Sequence, residues 1–161
     1  MKLFLLPKNL YRCTKRVYES YRVQRCLELG RELMAKGEFE KALSSLMEAQ
    51  RFDVSFSPRD ALLFSFCLFR LNKDTAAYKV AVAVEDSIRC DSRHYNEDEV
   101  EYLIAYSRFI RNTCASRQTN PVLSPSPIDM SGIDLRRVSD DLLATFPLVK
   151  HPDWDKLGWP D

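Results

Sequence analysis

Apolar residues recur at spacings of three and four along most of this 161-residue chain. That period matches one face of an α-helix, whereas a half-buried strand would alternate every second residue. The pattern is divided by residues that end or begin helices, namely Gly37, Ser57-Pro58, Asn72-Lys73-Asp74, and Asn96 followed by Glu99. The chain is therefore predicted to be all-α, and its 45% hydrophobic content suffices for one globular core.

Changes in composition along the chain predict four segments. They are a basic N-terminal helix in residues 1–22, a helical domain in 23–115, a Ser/Pro-rich linker in 116–131, and a C-terminal helix with a tryptophan-containing tail in 132–161. In the first segment, Leu10, Cys13, Val17 and Tyr21 form a helical stripe that is predicted to be buried. In the last, Ser131 with Asp134 predicts the N-terminal cap of a short amphipathic helix that continues to Phe146.

The clearest local pattern lies between Cys26 and Val54. Small residues, Gly30 and Ala42, stand where two antiparallel helices must approach, and large residues fill the space between them. The spacing is Cys26-x-x-Leu29-Gly30-x-x-Leu33, then Gly37-x-Phe39-x-x-Ala42-x-x-x-Leu46-x-x-Ala49. It resembles a tetratricopeptide repeat, with Cys26 in place of the family's frequent tryptophan and Val54 in place of its frequent proline.

A weaker second copy of this pattern continues to Cys90. It is carried by Phe64, Ser65, Leu68 and Ala77, and the helix with Ile104-Ala105 is similar to the opening helix of a third unit or to a terminal cap. The resemblance implies antiparallel helix hairpins stacked as a short α-solenoid of about two repeats plus a capping helix.

The resemblance also implies a concave groove lined by the first helix of each pair. The residues expected to face it are Leu27, Arg31, Met34, Leu62, Phe66, Phe69, Tyr102, Tyr106 and Phe109. Because an apolar groove of this kind is rarely left open to water, we expect a peptide or helix of another protein to occupy it. The alternative is that the chain's own tail or first helix fills the groove as ordinary core.

The net charge and the residues at three positions of the predicted groove disfavour two kinds of partner. A net charge of +1 provides no general field that would attract nucleic acid. Family members that bind chaperone tails hold a carboxylate with lysine and asparagine, but the matching positions here are Leu27, Arg31 and Leu63. Chaperone C-terminal tails are therefore not expected partners, and the predicted function is that of an adaptor or complex subunit.

The tail and linker carry further candidate sites. Trp154, Leu157 and Trp159 are predicted to anchor the tail to another protein, because tryptophan favours sites that a partner can desolvate fully; docking on the chain's own surface is the alternative. Ser124 and Ser126 each precede a proline and Ser139 follows Arg136-Arg137, so these three serines are candidate phosphorylation sites.

Catalytic chemistry has little basis in the sequence. Cys90 and His94 are spaced i, i+4, but a zinc site needs two further ligands and the other histidine, His151, is distant in sequence. No catalytic residue, metal or cofactor is predicted, and a small zinc-dependent or cysteine-dependent enzyme is the alternative function.

Localisation is predicted from the cysteines and from the basic N-terminus. Five scattered cysteines suit a reducing compartment, so the cytoplasm is predicted. Six basic residues between Lys8 and Arg25 are interrupted only by Glu19, which leaves a mitochondrial presequence as the alternative. No apolar run approaches the ~18 residues that a membrane span requires.

Overall fold

The described part of the chain is built from helices and contains no strand. The structure is a computed structural model that describes residues 8–52, 56–90, 93–119 and 128–146, with side chains from Lys15 onward. The helices are α1 (Lys8–Ala35), α2 (Phe39–Gln50), α3 (Pro58–Arg70), α4 (Asp74–Cys90), α5 (Glu97–Thr119) and α6 (Asp140–Thr145), with a 3₁₀ turn at Leu135–Arg137. The predicted all-α fold class is confirmed.

Two helices begin at the caps that the sequence indicates. The Ser57 hydroxyl accepts a hydrogen bond from the Asp60 N–H at 3.2 Å, and Pro58 occupies the first helical position, where no amide hydrogen is needed. At the start of α5, the Glu99 N–H donates to Asn96 Oδ1 at 3.0 Å and the Asn96 N–H donates to Glu99 Oε2 at 3.1 Å. This reciprocal pair is a capping box, which satisfies two amides that helix geometry leaves unpaired.

The α1–α2 and α3–α4 hairpins are each closed by a turn of the same backbone conformation. Gly37, with φ of +74°, joins α1 to α2, and Asn72, with φ of +55°, joins α3 to α4. The residue after each turn donates its N–H to a leucine carbonyl at 2.9 Å, Glu38 to Leu33 and Lys73 to Leu68. The left-handed residue and these bonds close the exposed helix ends, so the two hairpins are built alike.

Small residues allow the paired helices to pack closely. A Cβ atom on Gly30 would lie 2.8 Å from Leu46 Cδ2, so α1 and α2 touch at a point where only glycine fits without a shift. In the next hairpin, Ser65 is buried and donates its hydroxyl hydrogen to the Ala77 carbonyl at 2.9 Å. Ser107 of α5 makes the same kind of bond to the Ala81 carbonyl of α4 at 2.6 Å.

The helices are packed in chain order around one core. α1 packs against α2, α4 packs against both α3 and α5, and α3 also contacts α1 and α5. Between α4 and α5, the buried Glu85 carboxylate is bound by three guanidinium groups, from Arg89 at 2.8 Å, Arg108 at 3.1 Å and Arg111 at 2.8 Å. These ion pairs hold α5 against α4, the second helix of the α3–α4 hairpin.

The prediction of a buried stripe at the N-terminus is wrong where it can be checked. α1 runs without a break from Lys8 to Ala35, so no turn separates the predicted segments 1–22 and 23–115. Val17 is 71% exposed and Tyr21 is 64% exposed. The reason is length, because α1 has 28 residues and α2 only 12, so among the described residues the first half of α1 extends beyond the helix that pairs with it.

The C-terminal region also departs from its predicted form. α5 continues to Thr119, past the predicted start of the linker at residue 116. Ser131 does not begin a helix; its N–H and hydroxyl bond to Asp129, and α6 starts after Ser139. The amides of Asp134 and Ser139 donate instead to carboxylates of α5, which hold the chain in a partly extended form.

Candidate protein-binding site

The residues predicted to line the groove lie mainly in the interior. The eight apolar members of that set are each 8% exposed or less: Leu27, Met34, Leu62, Phe66, Phe69, Tyr102, Tyr106 and Phe109. The ninth, Arg31, is half-buried and donates to Asp60 Oδ1 at 2.6 Å, joining α1 to the start of α3. The open groove that the sequence predicts is therefore closed in this structure.

Aromatic rings of α3 and α5 lie at the centre of this set of residues, and we call the side of the two helices that carries them the aromatic face. The Phe66 ring lies 5.9 Å from Tyr106 and 6.5 Å from Phe69, and Phe69 lies 5.9 Å from Phe109, all measured between ring centroids. Edge-to-face and tilted arrangements like these are favourable for aromatic pairs. The sequence prediction that these four side chains share one face is consistent with the contacts, although the face is not exposed.

Part of this face is covered by the chain's own residues 128–146, which we call the cover segment, through contacts with Tyr102 and Tyr106. Its last described residue, Phe146, is fully buried, with its ring 4.9 Å from that of Tyr106. The Tyr102 hydroxyl donates to the Phe146 backbone carbonyl at 2.6 Å, while Leu142 and Leu143 are buried beside it. At Tyr102 and Tyr106, the chain's own segment therefore occupies the place where the sequence predicts a partner.

Arg59 of α3 binds the C-terminal part of the cover segment. Its guanidinium donates to the Asp141 carboxylate and to the Thr145 hydroxyl. The hydrogen bond from Arg59 is the main reason that the pKa of Asp141 is lowered; the charges of Arg59 and Arg31 add smaller effects. Since the Arg59 side chain is only 14% exposed, it forms a fixed cationic point at the edge of the aromatic face.

The first turn of α5 holds the other end of the cover segment. Asn96 Nδ2 donates to the Arg137 carbonyl at 2.8 Å, and Glu99 Oε1 accepts from the Ser139 N–H at 3.1 Å. Asp98 accepts the Asp134 N–H at 3.0 Å and pairs with Arg137, also at 3.0 Å. The capping residues of α5 therefore also bind the backbone of the cover segment.

Four buried polar atoms of the site have no hydrogen-bond partner among the described residues, namely Arg31 Nε, Arg59 Nε, Asp98 Oδ2 and the Tyr106 hydroxyl, and the last of these lies on the aromatic face. Burial raises the pKa of Tyr106 well above its ordinary value, with a smaller contribution from Tyr102. An unpaired buried hydroxyl costs about 1–3 kcal/mol, so the cover segment does not satisfy every group on this face.

The remaining predicted sites are placed as follows. Ser139 is exposed and precedes the first residue of α6, and its N–H is bound by Glu99. Ser124, Ser126 and the predicted tail anchors Trp154, Leu157 and Trp159 lie outside the described residues. Their roles stay predictions.

The two residues named for the alternative metal or cysteine site lie on the surface. Cys90 and His94 are both exposed at the end of α4 and just after it. Within the ranges that the structure describes, no three or more His, Cys, Asp or Glu side chains are grouped to hold a metal ion.

Sequence reasoning missed one exposed apolar surface. Val17, Tyr18 and Tyr21 on the free half of α1 are 71%, 57% and 64% exposed. The spacing of Val17 and Tyr21 indicates a stripe on one helix face, but spacing alone does not show whether another element packs on that face. The density of basic residues around the stripe was the available signal that this half of α1 is solvated.

Comparisons of the chain with protein-family models, curated proteins and solved structures find no match. In the described part of the chain, no helix is both long and apolar enough to cross a membrane. The function is therefore argued from the geometry of the site.

Proposed function

We propose that this chain is a tetratricopeptide-like interaction module, acting as an adaptor or a subunit of a larger complex, which binds a short helix or peptide of another protein. The observation that carries the proposal is the cover segment, which lies on α3 and α5 as a bound peptide would. Its backbone carbonyl at Phe146 is held by Tyr102, and its acidic side chain Asp141 is held by Arg59. A face that binds its own chain in this way has the groups needed to bind a similar segment of another chain.

The repeated construction of the hairpins supports the repeat assignment. The turn residue Asn72 follows Gly37 by 35 residues, close to the ~34-residue period of the family. The same interval relates Gly30 to Ser65 and Ala42 to Ala77, which are the small residues at the helix contacts. α3 touches both α1 and α5, as expected if the first helices of successive pairs share one side.

The contacts of the cover segment define the partner's chemistry. The residues that it buries or pairs are Asp141, Leu142, Leu143 and Phe146, which read D-L-L-x-x-F. We expect the partner to present the same combination, an acidic residue opposite Arg59 and apolar residues on one face of a short helix. Because the cover segment is tethered, a partner must compete with it, which makes binding conditional on its release.

A labelled synthetic peptide of residues 134–146 tests this proposal on the full-length chain. Phe146→Ala removes the ring that packs on Tyr106, weakening the cover segment but leaving the face intact. We expect this variant to bind the peptide roughly tenfold or more tightly than the unaltered chain, since a lost buried phenylalanine costs about 3–5 kcal/mol. Fluorescence anisotropy measures the affinity, and a scrambled peptide is the control.

Two further substitutions locate the binding. Arg59→Ala, added to Phe146→Ala, should abolish the gain because the partner of Asp141 is lost. Met47→Ala in the same background should have no effect, since Met47 is 53% exposed on α2. Equal peptide affinity in all four proteins would contradict the proposal; otherwise, affinity capture with the Phe146→Ala chain, compared with its Arg59→Ala derivative, identifies the natural partner by mass spectrometry.

A further inference from the structure

The tail after Phe146 contains both tryptophans of the chain. Trp154 and Trp159, with Leu157 between them, are the predicted anchors, and three aspartates lie among five charged residues of this tail. The sequence allows the tail to dock in the predicted groove, but Phe146 of the cover segment already occupies the face at Tyr102 and Tyr106. If the tail docks within the chain, it needs a different apolar surface.

The free half of α1 offers such a surface. Val17, Tyr18 and Tyr21, which we call the α1 face, are the three most exposed large apolar side chains of the described residues. Arg22 lies over the Tyr18 ring, with its guanidinium carbon 5.9 Å from the ring centroid, and donates to the Tyr18 hydroxyl at 3.2 Å. Tyrosine and arginine are both enriched at protein-binding surfaces, and an arginine there can stack on an incoming tryptophan ring.

Charge distinguishes between the occupants of the α1 face. Between Lys15 and Arg25 there are four basic residues and one acidic residue, Glu19, which pairs with Lys15 at 3.7 Å. Two copies of this face would repel each other, which disfavours a second copy of the chain. In the tail, by contrast, Trp154 stands between Asp153 and Asp155, so an arginine could stack on the ring while another pairs with an adjacent carboxylate.

The cover segment is linked to α1 through the side chains of Arg59, Asp60 and Arg31. Arg59 binds Asp141 and Thr145, and its neighbour Asp60 binds Arg31 of α1. At about 100° per residue around the helix, Val17 lies about 40°, Tyr21 about 80° and Tyr18 about 140° from Arg31, so Val17 is the member of the α1 face nearest to the side that carries this link.

The tail is long enough to reach the α1 face. Tyr21 lies ten residues, or about 15 Å, along α1 from Arg31. Trp154 follows Phe146 by eight residues and Trp159 follows it by 13, distances that an extended chain covers with about 26–45 Å. An extended tail is therefore longer than the stretch of α1 that separates Tyr21 from Arg31.

We propose that the segment from Trp154 to Trp159 docks on the α1 face and covers Val17, Tyr18 and Tyr21. The tail would then tie the free half of α1 to the cover segment. This contact is separate from the peptide site on α3 and α5, and neither proposal depends on the other.

Tryptophan fluorescence of the full-length chain tests the docking directly, because both tryptophans are in the tail. The unaltered chain should show emission blue-shifted from that of a synthetic peptide of residues 147–161, and weaker quenching by acrylamide. The double variant Val17→Asp/Tyr21→Asp should shift the emission and the quenching to the values of the peptide. Both positions are exposed, so far-ultraviolet circular dichroism should stay unchanged.

Matched variants and added components separate the other outcomes. Met47→Asp, at an equally exposed apolar position on α2, should leave the emission unaltered. Charge reversal at Arg16 and Arg25 should give a partial red shift that increasing salt reproduces in the unaltered chain. The proposal is overturned if the unaltered chain already emits like the peptide, or if its blue shift ignores the α1 variants. It is also overturned if the shift depends on protein concentration or requires anionic phosphatidylserine vesicles.

Discussion

Replacement of Gly30 by alanine tests how closely α1 and α2 approach. The added Cβ would lie 2.8 Å from Leu46 Cδ2 and 3.0 Å from Leu46 Cγ. Leu46 is fully buried, so its side chain has little room to move away. The substitution should therefore strain the hairpin, although alanine is the better helix former.

The expected magnitude is the difference between these two effects. Overpacking of a close contact costs about 1–3 kcal/mol. The change from glycine to alanine inside a helix contributes about 1 kcal/mol in the opposite direction. We expect Gly30→Ala to lower the free energy of unfolding by about 1 kcal/mol in the otherwise unaltered chain. In a Leu46→Ala background the obstructing atoms are gone, so the same substitution should raise it by about 0.5–1 kcal/mol.

Urea denaturation followed by circular dichroism measures both effects as a double-mutant cycle. Gly37→Ala is the control, because a Cβ there would have no neighbour within 4 Å while its φ of +74° is unfavourable for alanine. That variant should destabilise the chain equally in both backgrounds. If Gly30→Ala stabilises the protein even with Leu46 present, the close packing of α1 on α2 is refuted.

Three other measurements follow from the interior of the structure. Phe66→Ala should lower the free energy of unfolding by about 3–5 kcal/mol, whereas a loss below about 0.5 kcal/mol would place this ring on an open surface. Glu85→Gln should lower it by about 1–2 kcal/mol in urea denaturation, because three partly exposed arginines lose their shared carboxylate; an unchanged midpoint would contradict the burial of Glu85. Burial raises the pKa of Cys67 and of Cys114 to about 12, and nearby Asp74 adds to the effect on Cys114. The unfolded thiols release their protons near pH 9.0 while the folded ones keep theirs, so stability should be complete below that pH and fall between pH 9.0 and 12; a flat profile there would contradict it.

Local signals in the sequence predicted local structure well. Ser57-Pro58 and Asn96 with Glu99 specify helix starts because the bonds that they make span only three residues. Gly37 specifies a turn for a similar reason, since its left-handed conformation is a property of one residue. Gly30 was identified as a helix contact from its spacing, and the approach of Leu46 agrees with that interpretation.

Long-range contacts could not be predicted in the same way. The bond between Arg59 and Asp141 joins residues 82 positions apart, and neither side chain carries a motif that points to the other. Phe66 and Tyr106 show the period of a helix face whether that face meets a partner or the chain's own Phe146. The helical spacing of Val17 and Tyr21 likewise indicates an apolar stripe. It does not show whether the stripe is buried, because that depends on where α2 ends.

The cover segment lies on α5 with the Phe146 ring against the Tyr106 ring. Nuclear Overhauser contacts between the ring protons of Phe146 and those of Tyr106 test it most directly, because their ring centroids are 4.9 Å apart. The account predicts strong contacts between these rings, together with slow hydrogen exchange at the Phe146 amide, which is bonded to the Leu142 carbonyl at 2.9 Å. Absence of those contacts with unprotected exchange at Phe146 would show that the aromatic face of α3 and α5 is not covered by its own chain.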